Sequence, residues 1–283
     1  MKKLTIFERA TLVYVLVTLI YITCFLGKIE RPAVHYGVRA LVLLFTFLMA
    51  WRENKTNSRW IAVLRRFCPL LMLGYWYPET YYFNNFLFDN LDRYFIAADD
   101  SLFGGQPSLA FSRYMPWAWF SELMYFGYFS YYFLVMGVAV WCYVRRNEIV
   151  DKVIFLITGS FYCYYLLFII FPVVGPQYQF LPPANEVPDG YLMSRLMQFL
   201  QATGEKPTGA FPSSHVGITL IVVIFTYRHC QNLLRYALPL FIILVLSTVY
   251  IKAHYLIDVI GGLASGFLLY WLFSAIACFP KRT

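Results

Sequence analysis

Apolar residues along the chain gather in eight long runs, separated by shorter segments rich in charged residues, glycine and proline. A helix needs about 20 consecutive apolar residues to cross the hydrocarbon core of a membrane. The pattern predicts spans at approximately Ala10–Leu26, Val34–Trp51, Phe67–Phe88, Ala118–Val144, Val150–Phe171, Phe211–Tyr227, Leu234–Ile251 and Tyr255–Phe279. We therefore expect an all-α polytopic membrane protein of about eight transmembrane helices.

Two breaks in the pattern suggest how the chain is organised. The third run contains Pro78 and Glu79, so its helix is expected to break or tilt there. The last two spans are so close that Lys252–His254 is predicted to be their shared turn. We expect two N-terminal helices and a cytoplasmic loop in residues 1–66, followed by a six-helix membrane domain in residues 67–283.

The composition agrees with a membrane protein and narrows its chemistry. Hydrophobic residues make up 60% of the chain and charged residues 13%, whereas soluble globular proteins carry about 25% charged residues. The six cysteines lie in or beside apolar runs and form no CxxC pair. We therefore expect no disulfide framework, no thiolate metal site and no cofactor.

Lysine and arginine are divided unevenly between the two predicted membrane faces. With a cytoplasmic N-terminus, the cytoplasmic segments hold 15 of the 23 basic residues, which favours both termini in the cytoplasm. The net charge of +8 is then explained by orientation and by contact with anionic lipid headgroups. Because the basic residues are dispersed over span ends, nucleic-acid binding is not expected.

This orientation brings two distant motifs to the outer face of the membrane. The stretch AFPSSH ends at His215 and opens the sixth span, and HYLID, with His254 and Asp258, opens the eighth. Residues four apart share a helix face, so His254 and Asp258 are expected to hydrogen-bond. A carboxylate on one imidazole nitrogen fixes the tautomer and makes the other nitrogen a better nucleophile.

His215 lies at a predicted helix N-terminus, which suits a phosphate because it presents free N–H groups and a partial positive charge. Ser213 and Ser214 add hydroxyl donors beside it. With His254 as nucleophile and His215 as general acid and base, these residues suffice for metal-free phosphoryl transfer through a phosphohistidine. Taken alone, PSSH is more often a helix cap with a stray histidine, and His-x-x-x-Asp on a helix is more often a structural pair. Asp258, however, lies inside an apolar run, where an ionisable group is usually functional.

The two motifs together resemble the second and third signature motifs of the phosphatidic acid phosphatase type 2 superfamily. The resemblance implies a membrane-embedded, metal-independent phosphatase or phosphotransferase with a six-helix core. It also implies His254 as nucleophile, Asp258 as its orienting partner and His215 as general acid/base. The usual first motif is missing, and Ser247 and Thr248 stand where the third motif has Ser-Arg.

The sequence is more similar to the branch of inositol phosphorylceramide synthases, and more distantly to sphingomyelin synthases. The similarity extends to VYIKAHYLIDVIGG, to the outer segment DDSLFGGQPS and to FPVVGPQY. In the last of these, Gln177 stands where related bacterial sequences often have arginine. The branch transfers a phospho-headgroup from one lipid to another, so the resemblance implies a phospholipid donor and a lipid alcohol acceptor as partners.

If a phosphate binds here, other cations must replace those of the family's usual first and third motifs, which this chain lacks. Lys252, two residues before His254, is our first candidate, with a snorkelling lysine as the alternative. Lys206 is a second candidate or a solvated loop charge, and Gln177 could add a polar contact. The sequence does not rank the other outer-side cations, which are Arg93, Arg113 and Arg195.

Two acidic features remain open. Glu79 could bind a headgroup or acceptor, or it could pair with another buried group at the bend near Pro78. The aspartates between Asp89 and Asp100 could bind a divalent cation, although a solvated outer loop is favoured because the histidine mechanism needs no metal. The segment could also form an interfacial helix that covers the site.

Three functions follow from these residues. The first is a lipid phosphotransferase, in a bacterial inner membrane, with an inositol phosphate-like headgroup, a ceramide-like acceptor and an extracytoplasmic active site. The second is a lipid-phosphate phosphatase that uses water as acceptor with the same residues. The third is a non-catalytic transporter or scaffold, which would leave the paired histidine motifs unexplained and lacks the internal repeats of many transporters. The sequence does not indicate an oligomeric state.

Overall fold

The computed structural model describes residues 4–277, in which all regular structure is helical. Twelve α-helices lie within these residues: α1 Ile6–Cys24, α2 Pro32–Thr56, α3 Arg59–Glu79, α4 Asp92–Phe103, α5 Pro107–Tyr114, α6 Ala118–Arg145, α7 Val150–Ile170, α8 Pro176–Gln179, α9 Leu192–Gly204, α10 Ser214–His229, α11 Gln231–Tyr250 and α12 Leu256–Ile276. Six of them, α1, α2, α6, α7, α11 and α12, are long and apolar enough to cross a membrane. The protein is therefore an all-α polytopic membrane protein, as predicted.

The eight long helices correspond one by one to the predicted spans, and the shared turn between α11 and α12 falls where it was expected. Two of the eight, α3 and α10, do not meet the length and hydropathy expected of a span; α10 has only 16 residues. The predicted end of the last span at Phe279 lies outside the described residues. So do four of the basic residues counted for orientation: Lys2, Lys3, Lys281 and Arg282.

The short helices gather at one end of the bundle, which we call the loop face. Here α3, α7 and α11 end and α6, α10 and α12 begin, with α4, α5, α8 and α9 between them. Glu122, in the first turns of α6, holds α9 in place because its carboxylate accepts hydrogen bonds from the backbone N–H groups of residues 191–194 at 2.6–3.2 Å. Both sequence motifs, at the starts of α10 and α12, lie on this face.

The third helix differs from its prediction. It runs from Arg59 to Glu79 rather than from Phe67 to Phe88, and a 3₁₀ turn at Thr80–Tyr82 follows its last residue. The helix starts before the apolar run because arginine is itself a good helix former, and Arg65 is buried there in ion pairs with Glu8 of α1 and with Glu53 of α2. The predicted division after residue 66 thus falls inside α3.

A second buried polar cluster joins the same three helices nearer the loop face. Arg39 of α2 forms two hydrogen bonds to the Glu79 carboxylate at 2.8 and 3.0 Å, and it also donates to Thr18 of α1. The His35 ring contacts Glu79 at 2.8 Å through Nδ1. Of the two roles left open for Glu79, the structure therefore provides the buried pair beside Pro78.

The two helices that carry the motifs pack unusually closely. A Cβ atom at Gly262 of α12 would lie 2.6 Å from the Ser213 carbonyl oxygen, and one at Gly266 would lie 2.6 Å from the Gly217 carbonyl oxygen of α10. Small residues of this kind let two membrane helices approach backbone to backbone. The approach allows the Ser213 N–H to donate to the Asp258 carbonyl at 3.1 Å, which joins the two motifs.

We predict that Arg39→Ala destabilises the protein by about 3–5 kcal/mol, because it leaves the buried Glu79 carboxylate without its bidentate partner. The measurement is thermal or denaturant unfolding in detergent micelles or nanodiscs. Arg52→Ala, at an exposed position near the end of the same helix, is the matched control and should change stability by less than about 0.5 kcal/mol. An equal loss of stability in Arg39→Ala and Arg52→Ala would contradict the assignment of Arg39 as the buried partner of Glu79.

Candidate active site

His254 is held in the turn between α11 and α12 rather than on a helix. Its backbone N–H donates to the Thr248 carbonyl at 3.1 Å, after Lys252 has taken a left-handed conformation with φ of 63°. The side-chain Nδ1 lies 2.8 Å from the carbonyl oxygen of Ala210. Because a carbonyl can only accept, Nδ1 carries the proton, and Nε2 is left with its lone pair available.

Burial of His254 keeps its imidazole in the neutral form. Burial lowers the pKa of His254 to about 4, although the Ala210 carbonyl and the nearby Glu205 act in the opposite direction. The ring is therefore uncharged at neutral pH, which is the state that a nucleophilic or proton-accepting nitrogen requires.

The expected hydrogen bond between His254 and Asp258 is not formed. The shortest contact, from Nδ1 to Oδ2, is 3.6 Å, which is too long for a hydrogen bond. Asp258 is the third residue of α12, and its Oδ2 instead accepts the backbone N–H of Tyr255 at 2.9 Å. The carbonyl of Ala210 therefore sets the tautomer of His254, while the fully buried Asp258 caps the helix beside it.

His215 lies opposite His254, and the two ring centroids are 5.7 Å apart. Its ring is packed against Tyr128 and Tyr131 of α6, at centroid distances of 4.6 and 4.4 Å. Its Nδ1 is buried and has no hydrogen-bond partner among the described residues. Two residues 39 apart in sequence thus face one another with unused ring nitrogens.

The two histidines share a small enclosed space, which we call the histidine cavity. Its lining comprises Tyr77, Tyr128, Val174, Gln177, Glu205, Thr208, Gly209, Ala210, Ser214, His215, Ala253 and His254. Of the predicted phosphate-binding residues, Ser214 and Gln177 belong to this lining. Ser213 does not; it is the N-cap of α10, and its hydroxyl accepts the Val216 N–H at 3.4 Å.

The predicted lysines do not reach the histidine cavity. The Lys252 ammonium is directed away and donates to Ser112 at 2.6 Å and to the Glu186 carbonyl at 2.7 Å. Burial and the neighbouring Arg113 lower the pKa of Lys252 to about 8. Lys206 is exposed. Among the described residues that line the cavity, none is lysine or arginine, and Arg93, Arg113 and Arg195 are all exposed.

The acidic outer segment forms α4, and its buried aspartates position the turn that follows His254. Asp99 accepts the backbone N–H groups of Leu256 and Ile257 at 2.9 and 3.0 Å, at the start of α12. Asp92 accepts the N–H groups of Val174 and Gly175 and the Tyr255 hydroxyl, all at 2.8–2.9 Å. Both side chains are fully buried, so the favoured interpretation of this segment as a solvated loop is wrong for these two residues.

Glu205 is a site residue that the sequence interpretation missed. It follows α9 and lines the histidine cavity with its side chain partly buried. Burial raises the pKa of Glu205, against hydrogen bonds from Gln177, Tyr128 and Gln201. Its position beside Lys206, in the loop that leads to AFPSSH, was the available signal, but nothing local distinguishes it from an exposed loop acid.

A second, larger cavity of about 500 Å³ opens beside the first between α3, α6, α7, α9 and α10. Most of its wall is apolar, with leucines of α3, Val135 and Met136 of α6, and Phe161 of α7. Its polar end consists of Ser214, His215 and Glu205. We call it the apolar cavity; Tyr77 and these three residues line both spaces.

The fold and the site together describe an integral membrane protein with a histidine pair beside an apolar cavity. A family model described as the PAP2 superfamily matches residues 93–272, which is more than half of the chain. The protein therefore belongs to the PAP2 superfamily, whose members are generally enzymes of phosphoryl transfer or hydrolysis. Searches of curated proteins and of solved structures find no match.

We predict that Asp99→Asn lowers turnover of a phospholipid substrate at least tenfold. Each carboxylate oxygen of Asp99 accepts one backbone N–H, whereas the asparagine amide has one acceptor oxygen and one donor nitrogen. One of the two N–H groups would lose its acceptor, so the start of α12 and the adjacent His254 should shift. Asp100→Asn is the matched control, since the neighbouring Asp100 is exposed and its side chain accepts a hydrogen bond from Gln106 at 2.8 Å rather than from the start of α12. Turnover and thermal unfolding of the two variants are compared; equal turnover would contradict the positioning role.

Proposed function

We propose that the protein is a lipid phosphotransferase. It would move an inositol phosphate-like headgroup from a glycerophospholipid to a ceramide-like or other lipid alcohol. His254 and His215 would form its catalytic pair, Asp258 would position His254 by capping the first turn of α12, and a phosphohistidine would be the intermediate. No metal and no cofactor enter this scheme, because two histidines supply both the nucleophile and the acid.

The observation that carries this proposal is the apolar cavity that ends at His215. A hydrolase needs only water at the reacting phosphorus, whereas a transferase must also hold a second lipid with its hydroxyl at the same place. The cavity has about 500 Å³ and an apolar wall extending along α3 and α6. Space of this kind beside the histidine pair supports a lipid acceptor.

In the first step, Nε2 of His254 attacks the donor phosphorus and forms a P–N bond. The P–O bond to the glycerolipid breaks, and His215 protonates the departing oxygen. In the second step, His215 takes the proton of the acceptor hydroxyl, whose oxygen attacks phosphorus and breaks the P–N bond. The two ring centroids are 5.7 Å apart, so both imidazoles border the same small cavity.

The start of α10 would bind the phosphoryl oxygens. Helix N-termini attract anions through their free N–H groups and partial positive charge, and α10 begins at Ser214 on the cavity wall. The Ser214 hydroxyl and the Gln177 amide are further donors on the same wall. Ser213, Lys252 and Lys206, which the sequence suggested for this role, would act at most indirectly, because none of them lines the cavity.

The same residues would also serve a lipid-phosphate phosphatase, since only the acceptor differs. We propose further that the site faces the extracytoplasmic side of a bacterial inner membrane, with both termini in the cytoplasm. The distribution of lysine and arginine supports this orientation.

The test uses purified protein, a headgroup-labelled inositol phospholipid, and either ceramide, diacylglycerol or no acceptor. We predict that label moves onto an acceptor lipid and that His254→Ala reduces transfer to background. His215→Ala should lower it about 10²–10⁴-fold, as expected for loss of a general acid/base. A reaction with phosphorus-labelled donor, quenched in alkaline denaturant because acid hydrolyses the P–N bond of a phosphohistidine, should leave label on the wild-type protein but not on His254→Ala.

His229→Ala is the control, because His229 lies at the far end of α10 and should leave transfer unchanged within about twofold. Release of water-soluble phosphate or phospho-headgroup without any acceptor product would identify a phosphatase instead. Equal turnover of lipid by His254→Ala and the wild type would overturn both activities and favour a non-catalytic membrane protein.

A further inference from the structure

Glu205 occupies the junction between the two cavities. It is one of four residues that line both spaces, and the other three are Tyr77, Ser214 and His215. No predicted catalytic step uses it, and the sequence motifs do not include it. A partly buried carboxylate at the junction of two cavities therefore calls for a ligand or a structural partner.

The protein itself satisfies this carboxylate only weakly. Its contacts are the Tyr128 hydroxyl at 3.2 Å and the side-chain amides of Gln177 and Gln201 at 3.2 and 3.4 Å. Strong hydrogen bonds to a carboxylate are shorter, at about 2.7–2.9 Å from nitrogen and about 2.5–2.7 Å from a hydroxyl. Glu205 forms no ion pair within the described residues. Its oxygens retain capacity for another donor, because an ionised carboxylate offers about four acceptor positions.

The charge of Glu205 decides which part of a substrate it can bind. A carboxylate repels a phosphoryl group, so its ligand must carry a hydrogen-bond donor instead. A hydroxyl at the end of a lipid in the apolar cavity would meet Glu205 and His215 together, since both lie at the polar end of that cavity. This is also the place where an acceptor hydroxyl must lie to lose its proton to His215.

We infer that Glu205 accepts a hydrogen bond from the hydroxyl of a lipid acceptor held in the apolar cavity and thereby favours transfer to that lipid over transfer to water. The inference rests on the proposed transferase function and deepens it by assigning the acceptor subsite. Glu205 orients the hydroxyl oxygen towards phosphorus, while His215 removes the proton. Gln177, Gln201 and Tyr128 hold the carboxylate in position through their donated hydrogen bonds.

The test is Glu205→Gln, which keeps the shape of the side chain and removes its charge. Two rates are measured with the same inositol phospholipid donor: transfer to ceramide over a range of concentrations, and release of soluble phospho-headgroup without acceptor. We expect the KM for ceramide to rise about tenfold to a hundredfold, as for a lost hydrogen bond to a charged group. Hydrolysis and the KM for donor should stay within about twofold, so products shift from transfer to hydrolysis.

Glu186→Gln is the matched control, because Glu186 is an exposed acid of the neighbouring loop outside both cavities. It should leave both rates unchanged, and thermal unfolding verifies that each variant is folded. An equal fall of transfer and hydrolysis in Glu205→Gln would overturn the inference, because it indicates a general structural or catalytic role.

A rise confined to the KM for the donor would also overturn the inference. It would indicate that Glu205 binds hydroxyl or ammonium groups of the donor headgroup. Unchanged kinetics in Glu205→Gln would also overturn the inference about Glu205, but they would not contradict the proposed transferase function. Absence of any acceptor product from the wild type would instead overturn the transferase function, and the acceptor subsite with it.

Discussion

The first turn of α12 is held by buried carboxylates, and the geometry of the site depends on it. A helix begins with N–H groups that have no partner within the helix. Here Asp258 accepts the N–H of Tyr255, and Asp99 accepts those of Leu256 and Ile257. His254 immediately precedes this turn, so its backbone is fixed where the helix begins. The position of the His254 backbone therefore does not depend on a flexible side chain. The Ala210 carbonyl then orients the imidazole ring.

The electrostatics of the site follow from the same arrangement. Asp92, Asp99 and Asp258 are fully buried close to His254, and backbone N–H groups or the helix N-terminus offset their charge rather than lysine or arginine. The histidine cavity continues this pattern, since its described lining has Glu205 but no lysine or arginine. A phosphoryl group bound there would depend on hydroxyls, amides and the start of α10, whereas the carboxylate suits the hydroxyl-bearing part of a lipid.

The N-terminal helices are joined to the rest by polar clusters because apolar burial alone does little to associate helices in lipid. Arg65 with Glu8 and Glu53 joins α1, α2 and α3 at one end. Arg39 with Glu79 and Thr18 joins the same helices nearer the loop face. These ionisable groups line neither the histidine cavity nor the apolar cavity, so a buried charge in a membrane helix here marks packing rather than chemistry.

The sequence by itself determined the number of long helices, the starts of α6 and α7, the turn before α12 and the joint position of His215 and His254. These features follow from local apolar periodicity and from spacing within one stretch of chain. Only the tertiary structure decided what holds and surrounds the histidines. Asp99 and Leu256 are 157 residues apart, Asp92 and Tyr255 are 163 apart, and Glu205 meets Tyr128 across 77. Contacts across such distances leave no local signature, because an acid that caps a distant helix and an acid in a solvated loop have the same sequence neighbours. For the same reason, Lys252 looked like a phosphate ligand until the left-handed turn directed its ammonium towards Ser112.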